Sequence, residues 1–193
     1  MSAAKKLSED SMKLTDGEKL ITLMLCELYD RLQVNAEIDP DFLRTAIYTG
    51  NEWSLAWKYP GIPFEDQKDP EQLKEILDIL DMWEHIEISH EKLSSHEKEE
   101  LEKQPFGKDP KFFGFDGNNE AEYIGITSIL LNELDRFQRF KDRELNAHMP
   151  TLEIYNRMLP TYHARRKQGW NLLDLKDLSE ILGEIVHPEN RKG

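Results

Sequence analysis

The chain has 193 residues, long enough to bury roughly two-thirds of its unfolded surface around one core, so a single domain without a disulfide or metal staple is the economical reading. One cysteine, Cys26, excludes an intrachain disulfide and reads as a buried thiol in a reducing compartment. A formal net charge of −13 disfavours a generic nucleic-acid binder, because such proteins gain affinity by neutralising phosphates with lysine and arginine.

The N-terminus is polar, and the apolar run from Leu20 to Cys26 is far shorter than the roughly 20 residues needed to cross a bilayer. A soluble, non-secreted, cytoplasmic protein with no membrane contact is expected. Residues 1–13 carry few apolar groups and no period, and so read as a mobile tail.

Order is expected from Thr15, which forms a capping box with Glu18. Leu20, Ile21, Leu23, Met24, Leu25, Leu28 and Leu32 follow at helical spacing. The face is broad enough to be packed on more than one side, which predicts a core helix. Asp39 and Pro40 begin a short helix that should end at Gly50. Asn51 is placed to cap another, bearing Trp53, Leu55 and Trp57 and closed by Tyr59, Pro60, Gly61 and Pro63. Two tryptophans beside a proline-rich loop suit a ligand wall or a partner surface, but plugging the core is the preferred reading.

Asp69 and Pro70 repeat the start signal for a longer helix with Leu73, Ile76, Leu77, Leu80, Trp83 and Ile88 on one face and acidic residues on the other. Ser94 or Ser95 should cap a short surface helix carrying Glu97, Glu99, Glu100 and Glu102. Phe112, Phe113 and Phe115 then anchor a turn through Gly114 to Asp116. Asp116 is expected to cap the next helix, with Glu120 near its positive end. Tyr123, Ile124, Thr127, Leu130, Leu131, Leu134 and Phe137 trace that helix. Gly125 within it costs about 1 kcal/mol relative to alanine, which suggests close approach by another helix or a ligand.

A polar connection through Asn146, His148 and Pro150 feeds a helix to Lys167, kinked at Pro160 and stopped at Gly169, with Tyr155, Met158 and Tyr162 inward. Trp170 and Leu172 pack the following turn, and Asp174 caps a last helix through Ile185. No strand alternation, internal repeat or low-complexity block is present. The fold class is all-α: a single globular domain of seven to eight helices in an irregular bundle over 14–187, with tails at 1–13 and 188–193.

The stretch from Phe112 to Leu159 carries an ordered set of spaced residues. They are the Gly114–Phe115–Asp116 turn, Glu120, Tyr123, Arg136 with Phe137, Asn146, Pro150, and Tyr155 leading through Arg157 and Met158 to Leu159. This set resembles the YfbU-like family of bacterial proteins. The resemblance extends less closely to Leu20–Leu32 and Leu73–Leu93, while Asn51–Phe64 and Ser94–Pro110 depart from it. It implies an all-α soluble fold and brings no activity, substrate or cofactor.

Glu87 and His90 share a helix face with Glu84, and Asp81 and His85 are close by, but a bundle di-iron site needs a second such pair and further glutamates. A solvated acidic face is the better reading, and no metal ligand is assigned. The turn from Phe113 to Gly117 lacks a phosphate-binding context, and no nucleophile elbow is present. No catalytic residue and no cofactor are assigned.

Arg136, Asn146, Arg157, Tyr123, Tyr155 and His163 are the candidate polar site, since arginine holds carboxylate or phosphate in bidentate fashion. Alternatively, Arg136 pairs with Asp116 or Glu120 while Asn146 ties down the connection. The segment from Arg136 to Lys167 holds eight basic and three acidic residues, a local +5 that leaves −18 on the rest. Internal pairing is preferred to an anionic partner.

The leading functional expectation is a non-catalytic interaction or regulatory module that presents its acidic helices and tryptophan region to a protein partner or to itself. A nucleic-acid or nucleotide-linked regulator using Arg136, Arg143, Arg157, Arg165 and Arg166, with Tyr162 or Trp170 for stacking, is the alternative. A small-molecule enzyme built around Arg136 and Arg157 ranks third.

Overall fold

A computed structural model of the chain describes residues 14–34, 37–64, 68–166 and 171–190. It is all-α, with eight α-helices and no strand among the described residues. The expected tail at 1–13, the stop at Gly169 and Trp170 lie outside the described residues. Two compact units divide the chain, Met1–Glu71 and Gln72–Gly193.

The first unit holds α1 (Asp16–Leu32), α2 (Pro40–Thr49) and α3 (Ser54–Lys58). The Thr15–Glu18 capping box forms as expected, and Asp39 caps α2 with Pro40 at its first position. One side of α1 is tied down. Lys19 reaches Glu52 at 2.7 Å, Asp30 pairs with Arg44, and Cys26 is buried. At about 100° per residue, these three positions fall within a narrow arc.

Ile21, Met24, Leu28 and Leu32 lie on the opposite side of α1 and are exposed. The expectation of a core helix is therefore corrected: Cys26 is its one buried residue. Apolar spacing specifies that a face seeks cover, without specifying what provides it. The tryptophan region behaves as a core plug. Trp53 is buried, stacks edge-on against Trp57 and donates its indole N–H to Asn51 Oδ1 at 2.9 Å. That bond diverts the Asn51 side chain from the expected cap of α3.

In the second unit the long α4 (Leu73–Lys92) is the centre, packed by α6 (Ala121–Ser128), α7 (Leu152–Arg165) and α8 (Leu175–Gly183), with α5 (Ser95–Leu101) against α8. It starts three residues later than the Asp69–Pro70 signal, because Asp69 accepts the Trp57 indole N–H instead of capping. Trp83, Phe112, Phe115, Phe140 and Tyr155 are buried together in edge-on and tilted contacts.

The expected continuous helix through Phe137 is shorter. Helix α6 passes into one π turn, Ile129–Glu133, and stops at Leu134; Phe137 adopts a left-handed backbone at φ +49° before the 3-10 turn Gln138–Phe140. The wide π turn gives up the regular register of that stripe. Helix α7 continues through Pro160, and Pro188–Asn190 form a terminal 3-10 turn.

Candidate functional site

The Gly114–Asp116 turn and the connection before α7 interlock. Phe115 donates its N–H to Leu145 O and accepts from Ala147 N, both at 2.8 Å, in an isolated parallel bridge. Gly114 is required for this approach. Its φ is +83°, and a Cβ there would lie 2.2 Å from Leu145 O, a clash added to a backbone region that disfavours side chains. Asn146 Oδ1 accepts the N–H groups of Gly117 at 3.0 Å and His148 at 2.9 Å. Tyr155 and Thr151 hydroxyls both reach Gly114 O, at 2.7 and 2.9 Å.

Glu120 closes the junction. Its buried carboxylate accepts from Asp116 N at 2.8 Å and from Thr151 N and Leu152 N at 2.9 Å, with Thr151 Oγ1 at 3.0 Å. The Thr151 and Leu152 N–H groups belong to the open first turn of α7, where no local side chain caps. Glu120 thus caps α7 from a distance, its charge against the positive end of the helix. Asp116, expected to cap the next helix, instead accepts from Asn118 N at 3.1 Å and from the Asn119 amide within its own turn. These bonds hold its carboxyl below the usual range. α6 begins at Ala121 without a side-chain cap. Gly125 lies inside α6 and accepts the Ile129 N–H, and Pro150 precedes the α7 cap residue.

The candidate polar residues divide among separate partners. Arg157 donates to the carbonyls of Glu184, Ile185 and Glu153, all at 3.2 Å, which latches α7 to the end of α8. Tyr123 donates to Glu75 at 2.5 Å, a bond that joins burial in raising its hydroxyl pKa. Tyr155 is fully buried, and His163 and Arg136 are on the surface. Arg136 donates its backbone N–H to Leu130 O as the chain leaves the π turn. Glu120 and Asp116 take the donors named above, and Asn146 ties the connection.

Sequence reasoning missed the role of α4. Glu87, expected on a solvated face, is buried and receives a two-pronged ion pair from Arg143 at 2.7 and 2.8 Å, together with Phe112 N at 3.0 Å. Arg139 forks onto Glu91 at 2.6 and 3.3 Å. Arg143 also lies over the Phe140 ring, 5.0 Å from its centre. His85 is buried between Tyr162 Oη at 3.3 Å and Asn171 O at 2.9 Å. The carbonyl only accepts, so Nε2 carries the proton and Nδ1 accepts from the tyrosine. Burial holds His85 below its ordinary pKa and pushes Tyr162 up to about 12. No cluster of three metal-binding side chains occurs among the described residues.

The family model of the YfbU domain matches residues 12–183, a span that includes the Gly114–Glu120–Asn146 junction and runs through both compact units. The chain belongs to the YfbU family. In this YfbU domain, Gly114, Phe115, Glu120, Asn146, Tyr155 and Arg157, among the spaced residues that carry the resemblance, build the turn, cap α7 and latch α8. Their clustering was legible as one ordered stretch; the long-range pairing of Glu87 with Arg143 had no local signal. No described helix is long and apolar enough to cross a membrane.

Proposed function

We propose that this YfbU-family protein is a non-catalytic interaction or regulatory module whose contact surface is the apolar face of α1. The observation that carries this reading is the exposure of Ile21, Met24 and Leu32, each at 60 % or more, on the side of α1 opposite its ion pairs, with Leu20 exposed on their flank. Contiguous apolar surface of this kind marks contact sites. Trp53 is buried, which moves the expected contact surface from the tryptophan region to α1.

The polar groups support the same reading. Asn146, Arg157 and Tyr155 bond to the protein's own backbone, and Tyr123 bonds to Glu75. A concavity of about 520 Å³ opens between α7 and α8, lined by Thr161, Arg165, Ser179 and Glu180 among others, and none of the candidate polar residues lines it. A nucleic-acid reading calls on Arg143 and Arg165, which pair with Glu87 and Glu180. Those pairings favour contact through apolar surface.

Chemical cross-linking in cell extract, comparing the natural chain with Leu28→Glu, tests the proposal. The natural chain is expected to form cross-linked species that the variant loses while keeping its helical circular dichroism and melting temperature. An unchanged pattern would contradict it.

A further inference from the structure

We infer that the partner covering α1 is α1 of a second copy of this chain, packed antiparallel about a two-fold axis near the middle of the apolar stripe, beside Cys26 and Glu27. The inference rests on the interaction reading above and names its partner.

Three observations support it. The first is exposure: Leu20, Ile21, Met24, Leu25, Leu28 and Leu32 are 49–70 % exposed. These six large side chains, each about half exposed or more, form a contiguous apolar stripe of the kind that marks a contact site. Facing one another, two such stripes cover each other along about 18 Å of helix. A two-fold contact uses the same patch twice, so one chain supplies both halves.

The second is pattern. Ile21, Met24 and Leu28 recur at spacings of three and four, the seam along which two helices interdigitate. The opposite side of α1 is already engaged by Glu52 and Arg44.

The third is charge, which decides the orientation. The first turn of α1 carries Asp16 and Glu18 beside Lys19, which Glu52 engages, and its last turn carries Arg31 beside Asp30, which Arg44 engages. Parallel helices would set the acidic ends side by side. Antiparallel helices set each acidic end near the partner's arginine and align the two helix dipoles head to tail. Ile21 of one chain then lies beside Leu32 of the other.

Disulfide trapping distinguishes these arrangements. Ile21→Cys and Leu32→Cys are oxidised separately and as a mixture, with sedimentation in parallel. In the antiparallel pair, two copies of Ile21 stand roughly 16 Å apart along the helix axis, beyond the reach of a disulfide, which needs Cα atoms about 4.4–6.8 Å apart. The mixture is expected to give a disulfide-linked dimer of the two variants, and each variant alone is expected to stay unlinked. The natural chain, whose buried Cys26 has its thiol pKa raised by burial, stays unlinked as the control. Linkage of Ile21→Cys with itself would overturn the antiparallel pairing. A chain that sediments as a monomer yet is still cross-linked in extract through Leu28 would overturn the second copy and leave the interaction reading standing. A monomer with no cross-linked species would overturn both.

Discussion

Glu120 concentrates more of this fold on one side chain than any charge count suggests. Each carboxylate oxygen faces backbone N–H donors, so Glu120→Gln turns an amide N–H₂ toward a group that also donates. Leaving buried donors unsatisfied costs about 1–3 kcal/mol each. Glu120→Gln is therefore expected to lower unfolding stability by about 2–3 kcal/mol, read as an earlier midpoint in urea with an unchanged slope. Equal midpoints would remove Glu120 from its place as the cap of α7.

One buried histidine, His85, and one half-buried histidine, His90, set the acid side of the stability profile. Burial depresses His85, flanked by Arg166, Asp81 and Asp177, and His90, flanked by Lys98, Glu91, Glu102 and Asp109. His90 Nε2 is buried without a hydrogen-bond partner. A depressed histidine is neutral in the fold and takes a proton more readily when unfolded. The unfolded state thus binds more protons as pH drops below the ordinary value of 6.5. Stability is expected to be full above that pH and to decline below it, before most carboxylates titrate. Melting temperatures from pH 7.5 to 5.5 check this, and His90→Leu is expected to flatten the slope. Asp81 and Glu84, whose pKa values burial raises, act in the opposite sense.

At the scale of elements, the junction between the glycine turn and α7 depends on Gly114. Gly114→Ala meets Leu145 O while holding φ at +83°. About 2 kcal/mol or more of destabilisation is expected, measured by urea unfolding. A neutral result would mean that the bridge to Leu145 relaxes freely. Arg157 is the second latch. Arg157→Ala leaves the carbonyls at the end of α8 without their donors, for a loss of about 1–2 kcal/mol. Arg157→Lys is expected to recover less than half, since an ammonium cannot fork onto two carbonyls.

These elements show what the sequence discloses and where it stops. Caps whose partner lies within three residues were legible: Thr15 with Glu18, Ser94 with Glu97, and Asp174 with Asp177. Asp69 and Asp116 carry the same residue type but bond elsewhere, because Trp57 and Asn119 offer competing donors. Glu87 and Arg143 are 56 positions apart, and no periodicity encodes such a pair. The resemblance marked the right stretch, yet its residue types suit a ligand site and a structural junction equally. Only their hydrogen-bond partners separate the two.

The whole molecule divides its apolar surface unevenly. In the second unit α4 is buried nearly all round, and the charges of α4 and the segment after α6 neutralise one another in the network of Glu87, Glu91, Arg139 and Arg143. Removing Arg143 strands a buried carboxylate, so Arg143→Ala is expected to cost about 2–3 kcal/mol, below the full value for a buried pair because the arginine is partly solvated. A double-mutant cycle with Glu87→Gln measures the coupling directly. In the first unit the balance is reversed, with the apolar stripe of α1 outward and its polar edge inward. A chain of net charge −13 repels its own copies, so any association through α1 has to overcome that repulsion, and added salt strengthens it by screening.

The most direct test is the solution mass of the natural chain beside Leu28→Glu, by sedimentation or light scattering at tens of micromolar protein. Two 22.7 kDa chains give about 45 kDa for a two-fold pair. The natural chain is expected at that mass and Leu28→Glu at the monomer mass with its helix content retained. A natural chain that stays at 22.7 kDa across that range and in added salt would contradict the pairing of α1 with its copy.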